Sequence, residues 1–205
     1  MNLLHPTGQP MNVIAVSPHA DDAEYGAGSL LTALSARGHR VGIALMTGSN
    51  EMRMAEAKSA ASMLGADLVA DASGRDGTLD VTPARVRWLE ERISAADLVL
   101  APHPDDTHQD HRTTAAVVRA ALRRTPVSLA WYRTPSSGQS FTPTAFSPIT
   151  PEGAEGRRRA LKEHRSQADR TYLQPEHLAL KDAWFGWLSG QPAAEPFEVV
   201  RYMLY

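Results

Sequence analysis

Along the first two thirds of the chain, apolar residues fall in short blocks separated by turn chemistry. Asn12–Ser17 (NVIAVS), closed by Pro18, has the continuous, partly β-branched character of a buried strand. Gly26–Arg37 follows, with leucines at 30, 31 and 34 and Gly38 as a stop, which predicts a helix. Val41–Met46 predicts a second strand, Glu51–Leu64 a second helix closed by Gly65, and Asp67–Ala70 a third, weaker strand. A third helix is expected from Pro83 to about Ser94, with Val86, Leu89 and Ile93 on one face. Asp97–Ala101 reads as a strand and Asp110–Arg124 as a helix rich in Ala and Val. Strand and helix in alternation favour a parallel sheet covered on both faces, so the expected class is α/β.

After one more expected strand, Val127–Tyr132, the pattern breaks. Thr134–Pro151 holds four prolines and two phenylalanines among Ser and Thr, which predicts a long loop at the mouth of a site or packed over the body. Glu155–Gln167 predicts a charged helix whose Arg157, Arg158 and Arg159 form a solvated face. Trp184 and Trp187, three apart, predict a helix face in the core, and Phe197–Leu204 a closing strand. With no internal repeat and no sharp shift of composition, residues 1–205 read as one domain.

Charge and composition narrow the function. The 205 residues carry 21 Lys and Arg against 23 Asp and Glu, a net charge of −2, which argues against a nucleic-acid or anionic-membrane surface. No run approaches the length of a membrane span, and Met1–Pro10 lacks the basic start and apolar stretch of a signal peptide, so a cytoplasmic protein is expected. The absence of cysteine excludes a thiolate site and a Cys nucleophile, leaving His and carboxylates as the only side chains for a metal.

Two clusters supply such ligands, each directly after an expected strand, where open parallel sheets bind ligands. In the first, Ser17–Glu24, His19 and Asp22 stand three apart, so a tight turn can aim both at one point while Asp21 stays free beside them. Imidazole with carboxylate suits zinc, but an acidic pair also caps a helix N-terminus. The second, Pro102–His111, packs three His and three Asp into its last nine positions. Here one of His108 and His111 can bind a metal while the other, oriented by Asp110, faces a substrate. His103-Pro104-Asp105-Asp106 resembles the first cluster but lacks its trailing Glu and glycines, and reads as a loop or rim.

Together these segments resemble the LmbE-like, or PIG-L, de-N-acetylases. The match runs through Pro18-His19-Ala20-Asp21-Asp22-Ala23-Glu24 with Gly26 and Gly28, through Pro104-Asp105-Asp106-Thr107-His108-Gln109-Asp110-His111-Arg112, and through two weaker stretches, Arg53–Glu56 and Ala160–Gln167. Ala20 departs from the proline usual there, which loosens the turn. The resemblance implies a Rossmann-like three-layer sandwich and a zinc-dependent hydrolase that removes the N-acetyl group of an amino sugar. It implies His19, Asp22 and His111 as zinc ligands and Asp21 as general base. By the same resemblance His108 stabilises the oxyanion or protonates the leaving amine, Asp110 orients that imidazole, and Arg53 meets the substrate; His164, in the late matching stretch, either meets the substrate as well or packs its helix together with Ser166 and Gln167. The expected partner is a small N-acetyl amino sugar, with no nucleic acid, no membrane span, and self-association left open. Two alternatives remain at this stage: an amidase for a larger acyl group or thiol conjugate, and a non-catalytic regulatory module that binds metal or phosphate.

Overall fold

A computed structural model describes residues 9–203; Met1 to Gly8, with His5, and Leu204, the last residue of the expected closing strand, with Tyr205 lie outside them. Five strands make the parallel part of one sheet: β1 (Asn12–Ser17), β2 (Arg40–Leu45), β3 (Asp67–Ala70), β4 (Leu98–Pro102) and β5 (Ser128–Tyr132). β6 (Ala145–Pro148) and β7 (Ala194–Arg201) are antiparallel additions, and the spatial order is β3-β2-β1-β4-β5-β7-β6. Strand order reverses at β1, which pairs with β2 on one side and β4 on the other. The crevice beyond the carboxyl ends of β1 and β4 is therefore the topological switch point, and both polar clusters sit there.

The helices are α1 (Asp22–Ala36), α2 (Glu51–Leu64), α3 (Pro83–Ile93), α4 (Gln109–Ala121), α5 (Pro151–Glu163) and α6 (Pro175–Ser189). Their ends follow local chemistry. Asn50 and Thr82 cap α2 and α3 by accepting the Arg53 and Arg85 amides, Pro83 and Pro151 open helices at the first turn, and Gly65 at φ +67° closes α2. Alternate strand positions face opposite layers. Leu98 and Leu100 join Val13, Ile43, Leu31 and Leu64 in one core, while Val99 and Ala101 join Val117, Val118, Leu89 and Ile93 in the other. The α/β class and its covering on both faces are thus as the pattern predicts.

Five expectations are corrected. α1 starts at Asp22 instead of Gly26, because its first two turns are buried all round and carry no amphipathic stripe. The expected loop Thr134–Pro151 contains β6 and the start of α5, and a 3₁₀ turn, Arg165–Gln167, splits the end of the expected charged helix. Arg157 is not solvated: it is buried and bonded to Asp182 and Glu195. Trp184 and Trp187 do lie on one helix, but they are 56% and 72% exposed and stack on each other. α6 instead buries Asp182, Phe185 and Gly186.

Glycines let α1 and α5 cross closely. A Cβ at Gly28 would stand 2.7 Å from Arg157 Cγ, and one at Gly156 would collide with Thr32. The glycine at the end of the first motif is therefore a packing residue.

Candidate active site

The turn after β1 is built by its own side chains. Ser17 Oγ donates to the His19 carbonyl at 2.6 Å and accepts from the Ala23 amide, while the His19 amide donates to Asp22 Oδ2 at 2.9 Å. Asp21 occupies the N-cap position of α1 but makes no capping bond, and its φ of 120° is the sole positive value at a non-glycine among the described residues. Such a conformation costs about 1–3 kcal/mol and persists only where its surroundings impose it. Here it turns the carboxylate away from the helix end and into the cavity wall, where Tyr172 Oη donates to Asp21 Oδ2 at 3.1 Å.

Across the crevice, α4 begins after its cap residue His108, whose Nδ1 accepts the Asp110 amide at 3.2 Å. One turn on, His111 points back toward β1. His19 Nδ1, Asp22 Oδ2 and His111 Nε2 form a triangle with sides of 3.2, 3.2 and 3.3 Å. A tetrahedral zinc ion with bonds of about 2.0–2.1 Å needs ligand edges of about 3.3–3.4 Å. The three donors therefore fit such an ion without rearrangement. His108 also lies near His19 and His111, with donor atoms within 4.8 Å, but its Nδ1 is already engaged.

Carboxylates surround this triangle. Asp106, buried, bonds His111 Nδ1 at 3.0 Å and accepts the His108 amide and the Thr134 hydroxyl. It fixes the ring so that Nε2 faces the triangle, the usual second partner of a metal-binding imidazole. Asp110 departs from its expected place: its carboxylate bonds His19 Nε2 at 2.9 Å and the amides of Gly77 and Leu79, not the His108 ring. The reason is the helix start, which ties the Asp110 backbone to His108 and sends the side chain the other way. Asp76 reaches His19 Nε2 at 3.2 Å and Arg53 at 3.3 Å.

This crowding sets the proton affinities. Burial, reinforced by the charge of Asp22 beside it, pushes the Asp21 carboxyl up to about 7 against the pull of His164 and Arg53. Burial opposes charge on His19, yet Asp110, Asp22 and Asp76 outweigh it and raise the ring to about 12. His111 rises to about 9 in the same way, with Asp22 and Asp106 overcoming burial. His108 is lowered, by burial and then by His19 and His111. Carboxylates thus outnumber the cationic groups of this pocket, and its donor set is of a kind that fits a divalent cation.

A cavity of about 400 Å³ opens over the triangle, walled by Asp21, Arg53, Asp76, His108, Ser136 and Tyr172 among others. Arg53 donates to the Ala20 carbonyl at 2.7 Å and lies 3.9 Å from Asp21. His164 is not part of this wall. It is buried behind it, with Nε2 3.2 Å from Glu24 Oε1, so of the two roles left open for it the packing one fits its position and substrate contact does not. His103 is likewise turned elsewhere, toward Glu198 and the Asp105 amide. Sequence reasoning did not single out Asp76, Asp106 as a partner of His111, or Tyr172. Asp106 lay in plain view in the second cluster, but Asp76 sits in a turn and Tyr172 in a single 3₁₀ turn, Thr171–Leu173, with no motif or period to mark them.

The profile of the GlcNAc-PI de-N-acetylases, PIG-L, matches residues 14–122, more than half of the chain and both clusters. The chain belongs to the PIG-L family. An uncharacterized deacetylase of Escherichia coli K12, YaiS, is 29% identical over 178 residues, covering 80% of this chain and 96% of YaiS. The N,N'-diacetylchitobiose deacetylase of Pyrococcus horikoshii shares the fold at a TM-score of 0.81, with 22% identity over 98% of this chain and 87% of its own. GalB, the 4-carboxy-2-hydroxymuconate hydratase of Pseudomonas putida KT2440, shares it at 0.80, with 16% identity over 95% and 98% of the two chains. The fold thus carries more than one reaction, and fold alone does not fix the reaction of this chain. What family membership and the YaiS match give together is a deacetylase, a hydrolase acting on amides.

Proposed function

We propose that the protein is a zinc-dependent N-deacetylase of a small N-acetyl amino sugar, with His19, Asp22 and His111 holding the metal. The observation that carries this reading is the donor triangle of 3.2–3.3 Å beside a carboxylate held in a strained backbone conformation. When bound, zinc supplies Lewis acidity at the reacting carbonyl and acidifies water near it. Everything else falls to side chains of this chain.

Asp21 accepts a proton from water as the water oxygen forms its bond to the acetamide carbon. Its carboxyl, raised to about 7, takes up that proton near neutral pH and can release it again. His108 faces the cavity with its Nε2 free, since Nδ1 is held by the Asp110 amide, and stabilises the charge that develops on the carbonyl oxygen. The carbon–nitrogen bond then breaks, the nitrogen takes the proton held by Asp21, and acetate and a free amine result. Asp110 acts on His19 instead of His108, holding its Nε2 so that Nδ1 faces the triangle. Tyr172 holds Asp21 in place, and Arg53 offers its guanidinium to the polar rim of the sugar.

The cavity, with polar groups on several sides and room for a monosaccharide-sized group, suits a hydroxylated substrate better than an extended acyl chain. No helix among the described residues is long and apolar enough to cross a membrane, and the near-neutral charge supports a small-molecule partner in the cytoplasm. Acetate release from N-acetylglucosamine conjugates by purified protein tests the reading. Asp21→Asn should keep zinc and lose turnover while His19→Ala loses zinc; the reverse pattern overturns the assignment.

A further inference from the structure

The segment that carries Tyr172 has a cavity on each side. Gln167, Arg170 and Tyr172 line the active-site cavity, whereas His164, Ala168, Leu173 and Gln174 line another, of about 270 Å³, behind it. We propose that this rear cavity is a regulatory site for a small monocarboxylate with an apolar body, held by His164 and coupled to the active site through Tyr172. Binding there is independent of the reaction; only its effect on turnover rests on the deacetylase reading.

The lining selects that ligand class. Leu161, Leu173, Pro175 and Leu178 give the cavity apolar walls, Arg158 and Lys162 are exposed at its rim, and no acidic residue lines it. His164 is buried, and its two nitrogens differ. Nε2 lies 3.2 Å from Glu24 Oε1, a carboxylate oxygen that accepts, so Nε2 carries a proton. Nδ1 is buried with no hydrogen-bond partner among the described residues. Burial opposes charge on this ring, but Glu24 and then Asp21 outweigh it and raise its proton affinity against the pull of Arg53. In the charged ring Nδ1 is an N–H donor that lacks an acceptor, a costly arrangement in a buried place. A carboxylate supplies the acceptor and the opposite charge together. The leucines then cover its apolar body, and they offer a phosphate or sulfate no further donors inside.

The coupling is local. Leu173 shares the 3₁₀ turn Thr171–Leu173 with Tyr172, whose hydroxyl donates to Asp21 Oδ2 at 3.1 Å. Before that turn the chain is anchored where the Ser166 amide and hydroxyl donate to Glu56 at 2.9 and 2.6 Å, and after it Gln174 Nε2 donates to the Ala168 carbonyl at 2.9 Å. Between these anchors Tyr172 and Leu173 are half-buried. A ligand packed on Leu173 therefore acts on the tyrosine that holds Asp21, and by linkage a substrate in front alters affinity behind.

Hexanoate is the probe, with hexylammonium as its charge-reversed control. Calorimetric titration of the zinc-supplied protein should show saturable hexanoate binding, and hexylammonium should bind more than about tenfold more weakly. Leu178→Glu, which sets a carboxylate on the apolar wall, should weaken hexanoate by more than about tenfold while turnover without hexanoate stays near wild type. In protein carrying isotope-labelled tyrosine, the Tyr172 ring signal, assigned by its loss in Tyr172→Phe, should shift in step with binding. The kcat for acetate release should change over the same hexanoate range. No saturable hexanoate binding, equal affinity for hexylammonium, or unchanged affinity in Leu178→Glu overturns the site. Binding that leaves the Tyr172 signal unmoved overturns its coupling to the active site. Absence of acetate release with and without hexanoate removes the deacetylase reading instead, while binding and the ring signal still decide the rear site.

Discussion

Among the buried clusters of charge in the described residues, two are organised in opposite ways. Between α1, α5, α6 and β7, Arg157 bonds Asp182 and Glu195, Glu195 accepts the Ser29 and Leu30 amides at 2.8 Å each, and Lys181 donates to the Tyr25 carbonyl. Two cations meet two carboxylates, and backbone groups take up the remaining lone pairs. At the ends of β1 and β4, Asp21, Asp22, Asp76, Asp106 and Asp110 crowd three imidazoles, with Arg53 and Arg170 at the wall. One of those carboxylates is held in a positive-φ conformation, and the whole group opens on a cavity. Burial of charge is common to both. What separates them is balance: the first cluster is compensated within the protein, while the second is short of positive charge, which the proposed zinc would supply.

The comparison can be broken by substitution. Asp21→Asn should lower turnover about 10²–10⁴-fold while leaving the melting temperature near or above wild type, since it removes a buried like-charge neighbour of Asp22. A loss of folding without a specific loss of turnover would place Asp21 with the structural cluster. Arg157→Ala should cost about 3–5 kcal/mol in denaturant unfolding by stranding Asp182 and Glu195, yet the folded fraction should retain its zinc. Retained stability would show that the cluster between α1 and β7 is not the compensated one. His108→Ala should keep the zinc and slow turnover about 10²–10³-fold, visible as a fall in kcat larger than any change in KM. Trp187→Ser, at an exposed position, should shift stability by less than about 0.5 kcal/mol; a larger loss would mean that the α6 face is covered in solution.

The limits of sequence reasoning follow the same division. β1, α2 and β3 begin and end where their patterns place them, because β-branched runs, a cap at Asn50 and the left-handed Gly65 are local signals. The candidate donors were legible for a related reason: His19 and Asp22, like His108 and His111, sit three apart at strand ends, so spacing marks both pairs, while the choice of His111 over His108 as a ligand came from the family resemblance. Pairings made across the fold were not legible. Asp110 meets His19 and Asp106 meets His111 only once β4 and the start of α4 are set beside β1, and Tyr172 reaches Asp21 across 151 positions. Arg157 and α6 misled for a complementary reason. An arginine run and a tryptophan pair suggest solvent and core by residue type, whereas Gly28 draws Arg157 inward against α1 and Asp182 and Phe185 turn the tryptophans of α6 outward.

The central claim is that His19, Asp22 and His111 form a metal site, and metal content tests it most directly. After growth with zinc and exhaustive dialysis, wild-type protein should carry about one zinc per chain, and a folded His19→Ala variant should carry almost none. Wild-type protein that retains no metal even when zinc is supplied, or a His19→Ala variant that retains as much as wild type, would contradict the account.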